Sequence, residues 1–199
     1  METENIMDLK DRVTAAIPEL RDYWPEIKDL FKFRKIPEKT TLLEEGYVSK
    51  YLYIVSKGCL RLYVIKEDGR EVTVQFFFEK QMVASMESAF TGKPGRIYLE
   101  SIEDSEVAVV RLSDFKKIIE RFPGMEKFLI NFLQQRLLYY TDLYTSFILN
   151  SPEERYEKLL KDNPEIIERV PHHYIASYLG ITPVSLSRIR SRIAKKEPR

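Results

Sequence analysis

Apolar residues change their spacing twice along this chain, from three-and-four to alternation and back again. Near the N-terminus Ile6, Leu9, Val13, Ile17 and Leu20 recur at three and four, which marks the buried face of an amphipathic helix. A second short helix is predicted after Pro25, with Ile27, Leu30 and Phe31 inward. From Phe33 to Val110 the period becomes that of strands. Runs at 41–43, 51–55, 59–65, 71–78, 97–102 and 106–110 are rich in β-branched and aromatic residues. Asp68-Gly69 between two of them is a hairpin signal, because glycine accepts the positive φ that the turn requires. Short strands at such intervals predict a jelly roll, which folds over its own edges.

Helical spacing returns at Ser113. After Phe122-Pro123-Gly124 the chain runs from Met125 to Leu149 without glycine or proline, a helix of about 37 Å at 1.5 Å per residue. It carries two apolar seams. Leu133, Leu137, Tyr140, Tyr144 and Phe147 form one; Met125, Leu129, Phe132, Tyr139 and Leu143 form the other, interrupted by Arg136. A roll covers one side of such a helix, so the first seam is expected to pair with a second copy of the chain. Asn150-Ser151-Pro152 then reads as a hinge and a new helix start. The expected divisions are 1–124 for the roll, 125–150 for the long helix and 151–199 for a C-terminal helical domain.

Within that last part, Pro171 and Pro183 read as helix starts, since proline loses no hydrogen bond in a first turn. Ile175 and Leu179 share a face of the first helix, and Gly180 permits a tight turn. Thr182 can cap the second helix, which Leu186, Ile189 and Ile193 bury. Its outward residues are Val184, Ser185, Ser187, Arg188, Ser191 and Arg192. A short-chained, basic face of this kind suits a helix in the DNA major groove, with Arg188 long enough to reach guanine. Together with Thr182, Lys195 and Lys196 these are the candidate DNA-binding residues. An ordinary helical hairpin with a solvated basic rim has the same spacing; charge separates the two readings. From residue 151 onward ten cations stand against seven anions, whereas the whole chain is close to neutral at +1.

Composition narrows the classes further. At 44% hydrophobic and 32% charged, 199 residues are globular, and no apolar run approaches the roughly 20 residues of a membrane helix. The start, Met1-Glu2-Thr3-Glu4, lacks the character of a signal peptide, so a cytoplasmic location without membrane contact is expected. Cys59 is the sole cysteine, which leaves no internal disulfide and no cysteine-rich metal site. His172 and His173 are the only histidines; adjacent on a helix, they point about 100° apart and do not chelate one metal together. No catalytic constellation, metal site or cofactor is expected. A jelly-roll metalloenzyme would need the clustered histidines that residues 33–110 lack.

Six stretches carry a resemblance: LEEG at 43–46, YLYIVSKG at 51–58, RLY at 61–63, EDGRE at 67–71, SPEERY at 151–156 and IASYLGITP at 175–183. In this order they make the chain similar to the Crp/Fnr family of bacterial transcription regulators. The resemblance implies an α+β fold: an N-terminal cyclic-nucleotide-binding-like β jelly roll, a long dimerisation helix, and a C-terminal all-α helix-turn-helix domain lacking most of a wing. It implies double-stranded DNA as partner, a homodimer, and RNA polymerase as a further candidate partner.

Two departures bear on specificity. Members that bind cyclic AMP carry Gly-Glu on a short helix of the roll and Arg-Ser or Arg-Thr shortly after it. Here the pairs are Met86-Glu87 and Gly95-Arg96, so Met86, Glu87, Arg96 and Tyr98 are the ligand-pocket candidates. If Arg96 lay on the strand beginning near Ile97, a one-residue shift would turn it away from the phosphate. The expected effector is therefore an unknown small molecule other than cyclic AMP, or none. In the recognition helix, Val184 stands where many members carry glutamate, and Arg188 keeps their arginine. The competing class is a ligand-binding or protein-interaction module whose terminal helices do not read DNA.

Overall fold

The computed structural model describes residues 2–196, and the side chains of residues 9–195. The side chains of Ile6 and Lys196 lie outside the described residues. The chain folds as two compact units, Met1–Leu62 with Phe76–Gln134, and Tyr63–Gln75 with Gln135–Arg199.

In the first unit, α1 (Glu2–Ala16) ends before Pro18 and is followed by a 3-10 turn at Pro18–Leu20. Leu9, Val13, Ile17 and Leu20 are buried as their spacing predicts. The helix expected after Pro25 is shorter than its periodicity suggests. It is one turn, α2 (Trp24–Ile27), then a 3-10 turn at Lys28–Leu30, and Leu30 is exposed. The reason is sheet pairing. β1 (Phe31–Ile36) already begins at Phe31, where Phe31 opposes Val110.

The strands that follow are β2 (Thr41–Leu43), β3 (Tyr51–Lys57), β4 (Leu60–Ile65), β5 (Glu71–Phe77) and β6 (Met82–Val83). Beyond α3 (Met86–Thr91) come β7 (Tyr98–Ser101) and β8 (Ser105–Arg111). They form two four-stranded sheets, ordered β1-β8-β3-β6 and β2-β7-β4-β5. In the first, β8 is central and pairs antiparallel with both β1 and β3. The β4–β5 turn closes where Gly69 donates to the Lys66 carbonyl at 2.9 Å.

A buried cluster from Leu9 through Ile54 and Val110 to Phe122 and Met125 joins α1, the first sheet and α4 (Leu112–Arg121). Burial of this many aliphatic and aromatic side chains is the main stabilising term of the unit. A charged pair also lies inside this unit. Arg61 of β4 is wholly buried, and its Nη2 is 2.6 Å from Glu100 Oε1 of β7. Cys59 is buried, but it lies in the connection just before β4 rather than on the strand expected from residue 59, and its thiol donates to the Leu60 carbonyl at 3.6 Å.

α5 spans Met125–Leu149, the bounds expected from the absence of glycine and proline. The second unit continues with α6 (Pro152–Asp162), α7 (Pro164–Arg169), α8 (His172–Tyr178) and α9 (Pro183–Lys196). Its core is Tyr156, Leu159, Ile166, Val170, Ile175, Leu179, Leu186 and Ile189. Ser151 starts α6 with a reciprocal capping box: its Oγ accepts from the Glu154 amide while the Glu154 carboxylate accepts from the Ser151 amide at 2.7 Å.

Candidate nucleic-acid interface

α8 and α9 meet through a turn that glycine makes possible. Gly180 has φ +69°, and a Cβ there would stand 2.9 Å from the Phe147 ring. Both the backbone conformation and the close approach therefore call for glycine. Thr182 caps α9, its Oγ accepting from the Ser185 amide at 3.1 Å, with Pro183 in the first turn. Leu186 and Ile189 face the core and Ile193 is half-buried. That packing turns Thr182, Val184, Ser187, Arg188, Ser191, Arg192 and Lys195 outward, with Ser185 half-buried. They share one surface.

A groove of about 820 Å³ runs over it, lined by Ser185, Arg188, Ser191 and Arg192 of α9 and by Ser151 and Glu153 at the start of α6. The sequence spacing did not reveal Glu153. Its Oε2 is 3.1 Å from Arg192 Nη2, so this cation already has an internal partner, whereas Arg188 projects into the groove. Arg190 points to the other side and contacts the His172 ring.

The base of the motif is held by groups that periodicity alone does not mark. Arg155 donates to the carbonyls of Asn150 (2.8 Å) and Leu179 (3.0 Å), and its guanidinium lies 4.6 Å from the centre of the Phe147 ring. One side chain thus ties the end of α5 to the turn before α9. Tyr139 and Tyr178 share a hydrogen bond at 3.1 Å, and burial pushes the Tyr139 phenol well above its ordinary pKa. Burial raises the Tyr178 pKa as well, so both phenols stay protonated at physiological pH, one donating and the other accepting. On α8, Ser177 accepts from the Thr73 amide at 2.9 Å and donates to the Glu71 carbonyl at 2.8 Å.

The long helix presents the two seams differently. Met125 is wholly buried, and Leu129, Phe132, Tyr139 and Leu143 are half-buried. Of the other seam, Leu137 (68% exposed) and Tyr144 (70% exposed) lie open, and Leu133 and Tyr140 are half-buried. Phe147 is 41% exposed and also packs on Gly180 and Arg155. Ile130 and Ile148, which the sequence reading did not include, extend the open stripe to Ile130, Leu137, Tyr144 and Ile148. Residues seven apart stay on one side of a helix.

The pocket candidates are not drawn together in the same way. Ser85 caps α3, which carries Met86, half-buried, and Glu87, exposed. Gly95 packs close to both: a Cβ there would be 3.2 Å from Glu87 Oε2 and 3.2 Å from Ser85 Oγ. Arg96 is exposed and precedes β7, which begins at Tyr98. The conditional placement of Arg96 on that strand is therefore corrected, and strand alternation does not set its direction. Among the described residues no group of three or more metal-ligating side chains gathers.

Residues 33–122 match the cyclic nucleotide-binding domain family. A cyclic AMP receptor protein of Thermus thermophilus is 25% identical over 182 residues, covering 86% of this chain and 83% of that protein. Among solved structures, FixK2 from Bradyrhizobium japonicum superposes with a TM-score of 0.72 at 20% identity, over 83% of this chain and 85% of the other. A transcriptional regulator of the Crp/Fnr family from Eubacterium rectale gives 0.70 at 18% identity, over 85% and 81%. A cAMP-activated global transcriptional regulator of Salmonella typhimurium is 22% identical over 103 residues, covering 52% of this chain and 49% of that protein.

Proposed function

We propose that this homologue of the Crp/Fnr-family regulators is a DNA-binding transcription regulator that acts as a homodimer on a two-fold operator. The observation that carries the reading is the outward face of α9, where short side chains surround Arg188 on a helix whose opposite face is fixed in the core. The open stripe on α5 supports the dimer, since an apolar row of that length on one helix calls for a covering partner. A dimer on that stripe would present two α9 helices to half-sites about 34 Å apart. In this reading 1–124 is the sensing part, 125–150 the dimerisation helix and 151–199 the DNA-binding part. RNA polymerase is a further proposed partner. We place the protein in the cytoplasm; among the described residues no helix is long and apolar enough to cross a membrane.

Arg188→Ala is expected to cost about 1–3 kcal/mol on the preferred operator and to relax the base preference at one position per half-site. Lys195→Ala acts differently. It should weaken binding to all sequences alike and reduce the salt dependence by about one unit of slope. Binding to a randomised site library separates the two; an even loss across the library for Arg188→Ala would make Arg188 a phosphate contact and contradict the placement of α9.

The proposed effector is a small molecule other than cyclic AMP. A cyclic phosphate held away from water needs a compensating cation. Arg96 is exposed, and the wholly buried arginine of the first unit, Arg61, is paired with Glu100. Calorimetry with cyclic AMP is expected to show no binding at micromolar concentration. Binding that disappears in Arg96→Ala would instead show that the 92–97 connection brings Arg96 onto the phosphate.

A further inference from the structure

The first unit contains a cavity of about 440 Å³ whose lining includes neither Glu87 nor Arg96. Its floor is buried sheet: Leu52 of β3, Met82 of β6 and the adjoining Ala84. Its walls come from three helices, with Met86 and Phe90 from α3, Phe115 and Ile119 from α4, and Phe128 and Phe132 from α5. The volume falls in the range of pockets that take a single small molecule.

Charge and shape define what fits. The charged residues of the lining are Lys116 and Glu120, one turn apart on α4, with Nζ to Oε1 at 3.8 Å. Their charges cancel, and no excess cation remains for a phosphate or carboxylate. An anion entering the apolar interior would lose its hydration without compensation. The aromatic complement is large. Phe90, Phe115, Phe128 and Phe132 offer ring edges and faces, and Met82 and Met86 offer thioethers, which adapt to an aromatic guest. Phe90 is 64% exposed at the lip, so a guest would bury apolar surface that the chain itself leaves in water.

A second copy of the chain is not the occupant. At 100° per residue, Phe128, Leu129 and Phe132 face the cavity, while Ile130, Leu137 and Tyr144 lie on another side of α5. A partner helix seated on the open stripe would leave the cavity unfilled.

We propose that this cavity is a binding site for a neutral aromatic small molecule, with Ser113 at the mouth available to a hydroxyl on the guest. Only its meaning as an effector site rests on the regulatory reading above; binding itself does not depend on DNA recognition. Because the guest would touch α3, α4 and α5 together, it would stabilise their mutual packing.

The test uses the full-length chain and 1-naphthol as the probe, followed by calorimetry. Saturable binding of one molecule per chain is expected, with 1-naphthoate at least about tenfold weaker. Phe90→Ala removes an exposed ring and should weaken 1-naphthol about tenfold without touching the core. Ala89→Trp, from an exposed position of α3 that lines the cavity, should fill it and abolish binding; circular dichroism verifies its fold. No saturable binding, or binding untouched by either substitution, overturns the site. Equal binding of 1-naphthoate overturns the neutral class. Operator binding, measured separately on the same variants, distinguishes failure here from failure of the DNA-binding reading.

Discussion

Leu137→Glu is expected to convert the proposed dimer into monomers and to lower operator affinity on the order of 100-fold. Leu137 is 68% exposed, so it contributes little to the fold of the isolated chain. In a dimer built on the Ile130 to Ile148 stripe it would sit at the middle of the seam. A carboxylate there would lose its hydration and would meet the same charge on the other copy. The affinity loss follows from linkage. Two recognition helices on one particle bind the second half-site at high effective concentration, and separating them forfeits an avidity of about 10²–10⁴. Thermal stability of the separate units should change little. Sedimentation showing an unchanged dimer would contradict the seam.

Arg61→Ala should be the most destabilising substitution in the first unit. Arg61 is wholly buried, and the Glu100 side chain is 12% exposed. Removing the guanidinium leaves a largely buried carboxylate without its 2.6 Å partner, a change that costs about 3–5 kcal/mol in comparable pairs. Against a typical total of about 5–15 kcal/mol, that is a large share of the stability of a domain. The double variant Arg61→Met with Glu100→Leu should recover most of the loss, since no charge then remains buried. Urea denaturation checks both, and losses that simply add in the double variant would show that the two residues act independently.

These two residues also show what was readable in the sequence. The stripe containing Leu137 is local information: a helix without glycine or proline from Met125 to Leu149 puts residues three, four and seven apart on one side. Its composition was legible only in part. Phe147 has the spacing of the seam and also contacts Gly180 and Arg155, while Ile130 and Ile148 add exposed positions that the spacing did not include. The pairing of Arg61 with Glu100 was not legible, because it depends on β4 lying next to β7, a neighbour relation set by topology between distant segments. The same holds for Arg155 and Glu153, whose partners are the Leu179 carbonyl and Arg192.

The helix-turn-helix was the most legible part, since its prolines, Gly180, the Thr182 cap and the Leu186 and Ile189 face are all short-range signals. Leu30 and Arg96 mark the opposite limit. Helical spacing placed Leu30 inward, but strand pairing from Phe31 ends the helix first. A strand start near Ile97 made the direction of Arg96 conditional on its joining the sheet, but β7 begins at Tyr98 and leaves it in the preceding connection.

Selection of the purified protein on a fully randomised DNA duplex library, followed by sequencing of the bound fraction, tests the central claim most directly. Enrichment of an inverted repeat with half-site centres one helical turn, about 34 Å, apart is the predicted result. A bound pool with no enriched sequence, together with a flat binding curve at low salt, would contradict it and leave the terminal helices to another role.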